Sequence, residues 1–280
     1  MKNASLVLFL TAPVSMPYSN WANGDVFNPS YMPLPVTSYT QEMTFFQRLV
    51  NTLLTGVVVA VRDLYMLPRT ETMLASIYPD RDIPSLSSLL TNSALLINHG
   101  TPFLGDGLRP VMPKTVLAGF MSCTAPAPLP PDMAEWVEGA EHGIIFVSFG
   151  SVIKASKMPE SKRKLLLAVF SQLPQRVVWK WETEMPDAPA NVKVWSWLPQ
   201  TALLAHSKVR LFITHGGAGS LQETLCHQTP IVGIPIQGDQ FTNVRTAVQK
   251  GVGVQVRTVY SVYFRISSVY FSSCRFHGTV

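Results

Sequence analysis

From residue 144 to residue 256, short apolar runs alternate with stretches whose apolar residues fall at helical spacing. Few folds accept that rhythm. The runs at 144–149, 177–180, 192–195, 210–214, 231–235 and 252–256 are too short for core helices and suit buried strands. Between them, 159–172 carries Leu165, Leu166 and Val169 on one face, and 220–226 and 243–249 also read as helices. Such alternation implies a parallel sheet with helices on both faces, an α/β fold. Ligands of these sheets bind beyond the carboxyl ends of the strands, at the residues that follow each run. The chain has 280 residues, 47% hydrophobic and 14% charged, which excludes disorder and allows one large core or two modest ones. The net charge of +5 is scattered, and its densest cluster, at 154–164, surrounds a helix. It reads as a solvated face, and no nucleic-acid partner is expected.

The front of the chain has a different texture. Residues 6–10 read as a buried strand rather than part of a signal peptide. Asn3 opens a glycosylation sequon. Residues 13–36, with Pro13, Pro17, Pro29, Pro33 and Pro35, read as an extended surface connection. Phe45, Phe46, Leu49 and Leu53 predict a helix over 42–66, and a strand follows near 94–98. The Pro- and Ala-rich segment 122–133 is the linker candidate. No stretch is long and apolar enough to span a bilayer; 43–61 comes closest, but Gln47, Arg48 and Asn51 interrupt it. Cys123, Cys226 and Cys274 are odd in number and widely spaced, so neither a metal pattern nor a disulfide framework is expected.

The residues that follow the strands carry chemistry in a telling order. Trp197 offers a flat face for a base. Gln200 and Glu223 offer polar groups for ribose hydroxyls. His215, Gly216 and Gly217 lead from an apolar strand toward a helix start, where an anion can sit. Asp239 and Gln240 could take hexose hydroxyls. Ser220 and Glu223 also fit a helix capping box, which would explain both without a ligand. Trp195 is the better core candidate of the two tryptophans. Gly217-Ala218-Gly219 alone would be weak evidence for a dinucleotide site.

The whole set, Trp197, Pro199, Gln200, His215, Gly216, Gly217, Ser220, Glu223, Pro235, Asp239 and Gln240, resembles the signature of the family 1 UDP-glycosyltransferases. That pattern is W-x-P-Q, then H-G-G, S-x-x-E and P-x-x-x-D-Q, in register here. The resemblance implies a GT-B fold: residues 1–121 as part of an N-terminal acceptor-side domain, 122–133 as linker, and 134–256 as a Rossmann-like UDP-sugar-binding domain. Residues 257–280 diverge. It implies donor contacts from the residues above together with Gly150 and Ser151, which form a second glycine turn.

The implied reaction moves glucose or glucuronic acid from a UDP-sugar to the hydroxyl of a small lipophilic acceptor, with inversion. It needs no cofactor and no essential metal, the UDP-sugar being a co-substrate. The family's catalytic base is expected to lie ahead of Met1, so none is assigned within this truncated chain. His99, the one tempting histidine of the first segment, reads as structural. A non-catalytic UDP-sugar-binding fragment, or a subunit pairing with full-length relatives as a homo- or hetero-oligomer, is the competing reading. The resemblance implies the endoplasmic reticulum, its membrane or lumen, with no transmembrane anchor in this chain. Two departures stand out. Gly219 replaces an asparagine common in relatives, and His227-Gln228-Thr229-Pro230 replaces their H-G-x-P.

Overall fold

The computed structural model describes residues 5–10, 24–99 and 110–256. The expectations for Asn3, for 13–23 and for the tail lie outside the described residues. The chain divides into two compact units, 1–119 and 120–280.

In the first unit, β1 (Val7–Leu10), β2 (Leu95–Asn98) and β3 (Thr115–Leu117) form a parallel sheet in that order. β1 is a strand but not a buried one. It ends the sheet, and Val7 and Phe9 are 51% and 48% exposed. Helix α1 (Phe45–Val61) opens on a capping box. Thr44 Oγ1 accepts from the Gln47 N–H at 3.3 Å, and Gln47 Oε1 accepts from the Thr44 N–H at 2.9 Å.

The helical path does not stop at 66 as the periodicity suggested. It passes through a π turn at Arg62–Met66 into α2 (Leu67–Ile77). Pro68 has no N–H to give and its ring would crowd the carbonyl of Leu64; the wider turn relieves both. The resulting 33-residue stretch is long and apolar enough to cross a membrane by length and composition, and 11% of its most apolar window is buried. This corrects the expectation of no such stretch, because Gln47, Arg48 and Asn51 interrupt only its first two turns.

Asn51 also corrects the reading of the proline-rich segment. Its Nδ2 donates to the carbonyls of Pro29 at 2.7 Å and Met32 at 2.9 Å, and its Oδ1 accepts from the Leu34 N–H at 2.8 Å. One amide satisfies three backbone groups, so the loop can be buried. Phe27, Met32 and Leu34 form a small core there. Helix α3 (Leu86–Thr91) precedes β2. His99, just past β2, is buried beside the Phe9 ring, with 6.4 Å between centroids.

The second unit begins with α4 (Pro131–Glu138), which takes the last three residues of the expected linker. Pro131 fits the first turn, where no N–H is required. There follow β4 (Ile144–Ser148), α5 (Glu160–Phe170), β5 (Arg176–Lys180), β6 (Val192–Trp195) and α6 (Gln200–Ala205). The unit closes with β7 (Val209–Thr214), α7 (Ala218–Cys226), β8 (Ile231–Gly233), α8 (Gln240–Gln249) and β9 (Gly253–Gln255). Helix α6 was not foreseen; six residues are too few to show a period.

All six strands are parallel, in the order β6-β5-β4-β7-β8-β9. The order reverses between β4 and β7, which opens a crevice at their carboxyl ends. Every residue of β4 is buried. Phe146 and Phe212 face each other across the β4–β7 register and stack at 4.5 Å. Trp179 meets Phe170 and Trp181 edge-on at 5.5 and 5.1 Å.

Cys123 and Cys226 are joined in a disulfide, with their Cα atoms 6.0 Å apart and a sequence separation of 103. This overturns the expectation of none. The segment at 122–123 runs beside α7: Ser122 packs by Gly219 in the helix's first turn, and Cys123 reaches its last residue. Spacing along the chain carries no sign of that contact.

Candidate functional site

The crevice is built from two matched strand ends. After β4, the Gly150 N–H donates to Ser148 Oγ at 3.3 Å; after β7, the Gly216 N–H donates to Thr214 Oγ1 at 3.3 Å. Both glycines take positive φ, +85° and +83°. The imidazole of His215 fits between glycines. A Cβ on Gly150 would lie 2.9 Å from its Nε2, and one on Gly217 only 2.6 Å away. The glycines therefore make room for this ring as well as for any ligand. Ser151, exposed, follows Gly150.

Helix α7 begins at Ala218 with Gly217 as its N-cap and no side-chain cap. Its first-turn N–H groups are open to an anion. The start also removes the capping-box explanation of Ser220 and Glu223, which lie inside the helix. His215 Nδ1 is buried and has no protein partner. Burial lowers the imidazole pKa, and the nearby Asp239 carboxylate opposes that only in part. The ring is accordingly neutral at pH 7 and can donate one N–H.

Gln200, at the start of α6, crosses to α7. Its Nε2 donates to Glu223 Oε2 at 2.7 Å and to Ser220 Oγ at 3.1 Å. Burial raises the Glu223 pKa, and the Gln200 bond works against the rise. Three residues before Gln200, Trp197 stands 70% exposed beside the buried Leu198. Lys180 Nζ lies 6.0 Å from its ring centroid. Trp195 is not the core residue expected: it is only partly buried, and its Nε1 donates to Asp132 Oδ2 at 3.0 Å.

Asp239 sits at the head of α8 and accepts from Asn243 Nδ2 at 2.7 Å. Gln240 is buried, and its Oε1 accepts from the N–H groups of Ile236 and Gln237 at 2.9 and 3.0 Å. Its amide oxygen is thus committed to its own loop. Among the described residues, no three His, Cys, Asp or Glu converge as a metal site would require. At the first departure, Gly219 leaves the space that Ser122 Oγ borders at 3.5 Å. At the second, Gln228 takes φ +54° and Thr229 Oγ1 donates to the Leu204 carbonyl at 3.1 Å, so that segment is a braced turn.

A sequence profile of the family described as "UDP-glucoronosyl and UDP-glucosyl transferase" matches residues 5–261. The chain belongs to this family. A UDP-glucuronosyltransferase of Pleuronectes platessa is 35% identical over 239 residues, 84% of this chain and 49% of that protein. UDP-glucosyltransferase 2 of Dactylopius coccus is 32% identical over 238 residues, 85% of this chain and 46% of that protein. Human UDP-glucuronosyltransferase 1A1 is 33% identical over 235 residues, 83% of this chain and 43% of that protein. The chain thus spans about half the length of the curated relatives it matches.

Among solved structures, the glycotransferase of kitacinnamycin aligns with a TM-score of 0.57 and 20% identity over 78% of this chain and 58% of that one. The calicheamicin glycosyltransferase CalG4 gives 0.54 and 16% over 97% and 61%. At that identity the likeness speaks for the fold, which is of the GT-B class.

The chain holds two groups that its motif did not single out. Lys180 joins Trp197 because β5 and β6 are neighbours, a pairing visible only once strand order is known. Glu182 fixes Lys180 at 2.9 Å and accepts the Ser156 N–H at 3.0 Å. Burial opposes its charge, but the Ser156 N–H and the Lys180 ammonium prevail and hold its pKa down to about 2. Asn243, on α8, is the second.

Proposed function

We propose that this chain binds a UDP-sugar and serves the transfer of its hexosyl group, glucose or glucuronic acid, to a hydroxyl of a small lipophilic acceptor. One observation carries the reading. Gln200, three residues after Trp197, bonds Glu223 and Ser220 on α7, the open start of that helix follows His215, and Asp239 lies near His215. Such a set can take base, ribose, diphosphate and hexose in turn. From Gly217 to Glu223 the helix advances about 9 Å. Ser220 and Glu223 stand one and two turns beyond its N-cap.

Each part has its chemistry. The exposed indole stacks on uracil, and the Glu223 carboxylate accepts from ribose hydroxyls while Gln200 holds its other oxygen. In the transfer, the acceptor oxygen bonds to the anomeric carbon from the face opposite UDP. The bond from that carbon to the phosphate oxygen breaks, and its electron pair leaves with UDP. Negative charge grows on the diphosphate as it departs. The N–H groups and dipole of α7 and the N–H of His215 oppose that charge without reorganising, which is where an enzyme gains most. The acceptor proton needs a base. His99 is buried, and no described group is assigned that role.

The disulfide supports an oxidising compartment such as the lumen of the endoplasmic reticulum. The test is calorimetric titration of the folded chain with UDP, UDP-glucose and UDP-glucuronic acid, repeated with H215A and E223A. UDP binding weakened by both substitutions is expected. A folded chain that binds none of the three ligands overturns the reading.

A further inference from the structure

Helix α8 is fastened to the H-G-G turn by two adjacent residues. A Cβ on Gly216 or on Gly233 would overlap the methyls of Val244, so the absence of side chains there lets α8 close in. Asn243 then makes the polar connection. It is fully buried, and its Nδ2 donates to the Gly216 carbonyl at 3.1 Å and to Asp239 Oδ2 at 2.7 Å. Both acceptors are oxygens, so the amide orientation follows from the contacts. An amide nitrogen has two hydrogens, and both are used.

The same side chain leaves its Oδ1 buried without a partner. That is an unfavourable burial which packing alone gives no reason to keep. The two donated bonds explain the residue. One ends beside His215, in the turn assigned to the diphosphate. The other holds one oxygen of the carboxylate assigned to the hexose, and no described contact engages Asp239 Oδ1. Gln240 braces the same loop through Ile236 and Gln237.

We infer that Asn243 is a positioning residue that sets the distance between the diphosphate turn and the Asp239 carboxylate, so that it tunes affinity for the sugar rather than for UDP. The inference rests on the donor reading above. A carboxylate freed from this bond can turn about χ1 and χ2, and a site loosened in that way loses the precision of its supporting contacts.

The experiment compares N243A, D239A and the double variant by calorimetry with UDP and with the UDP-sugar that the unaltered chain binds better. Each single variant is expected to weaken UDP-sugar about tenfold, the worth of one hydrogen bond to a charged group, and UDP by less than about threefold. In the double variant the losses should not add, because Asn243 acts through Asp239. Equal weakening of UDP and UDP-sugar in N243A, or additive losses, would overturn the inference. If N243A does not unfold cooperatively, N243L takes its place. It is close to asparagine in size, lacks the NH2, adds no charge and carries the same expectation. An unaltered chain that binds neither ligand would instead end the donor reading itself.

Discussion

Breaking the Cys123–Cys226 bond should destabilise the second unit by an amount that the chain path sets. The bridged residues are 103 apart in sequence and their Cα atoms 6.0 Å apart, within the ordinary range for a disulfide. In the loop-entropy treatment, releasing a loop of about 100 residues returns roughly 4.7 kcal/mol of conformational freedom to the unfolded chain at 25 °C. Measured losses run nearer 2–4 kcal/mol. For a unit of this size that corresponds to a fall in Tm of roughly 5–15 °C. The assay is urea and thermal unfolding followed by tryptophan fluorescence, with and without reductant, alongside C123S. Trp179 and Trp181 are buried in the core of this unit and report its loss. The urea slope should rise in C123S, because an uncrosslinked chain exposes more surface on unfolding. Alkylation of the unreduced, denatured protein should find one thiol, and three after reduction. Three thiols before reduction, or identical unfolding curves for C123S and the parent, would refute the reasoning.

Other substitutions probe the donor site. W197A should weaken UDP by about 1–3 kcal/mol, the worth of one base–aromatic stack, with W197F retaining most of the affinity. Its Tm should not move, because the ring is exposed; a large drop in Tm would make Trp197 a core residue instead. G217A puts a Cβ 2.6 Å from His215 Nε2, so the ring must shift, and calorimetry should show UDP weakened about tenfold or more while circular dichroism stays unchanged. Unaltered UDP affinity would mean that the imidazole position is immaterial. Glu223 gives a pH signature. Burial raises its pKa above the ordinary 4.5, so on acidification it takes up its proton earlier than an exposed glutamate. If the ionised form holds the ribose, UDP-sugar affinity falls as pH drops through that raised value, starting above pH 4.5. E223Q should bind more weakly at pH 7 and lose this component; a titration curve identical to the parent's would sink the assignment.

Local signals were legible where they were short-range. The apolar runs locate all six strands of the second sheet; the mark is most continuous in β4 and β8, every residue of which is buried. The glycine pair after 210–214 marks a strand-to-helix turn in the same way. Less was visible at Asn51, which reads as a polar interruption in an apolar helix. Its role depends on a loop about twenty residues upstream, whose backbone it satisfies. The helix expected over 42–66 runs on, because a π turn carries it past Pro68. Trp195 and Trp197 differ by two positions, but only the end of β6 decides which of them is left open to solvent.

The sequence by itself determined the alternation of strand and helix, and the order in which indole, amide, imidazole, glycine and carboxylate follow along the chain. These are properties of neighbours, set by residue type and spacing. The tertiary structure decided which of them meet. Placing β4 beside β7 seats the His215 ring between Gly150 and Gly217, and docking α6 and α8 against α7 and the glycine turn brings Gln200 to Glu223 and Asn243 to Gly216. The disulfide belongs with these. Each is a contact between residues distant in sequence, governed by strand order and helix packing, which no local pattern encodes.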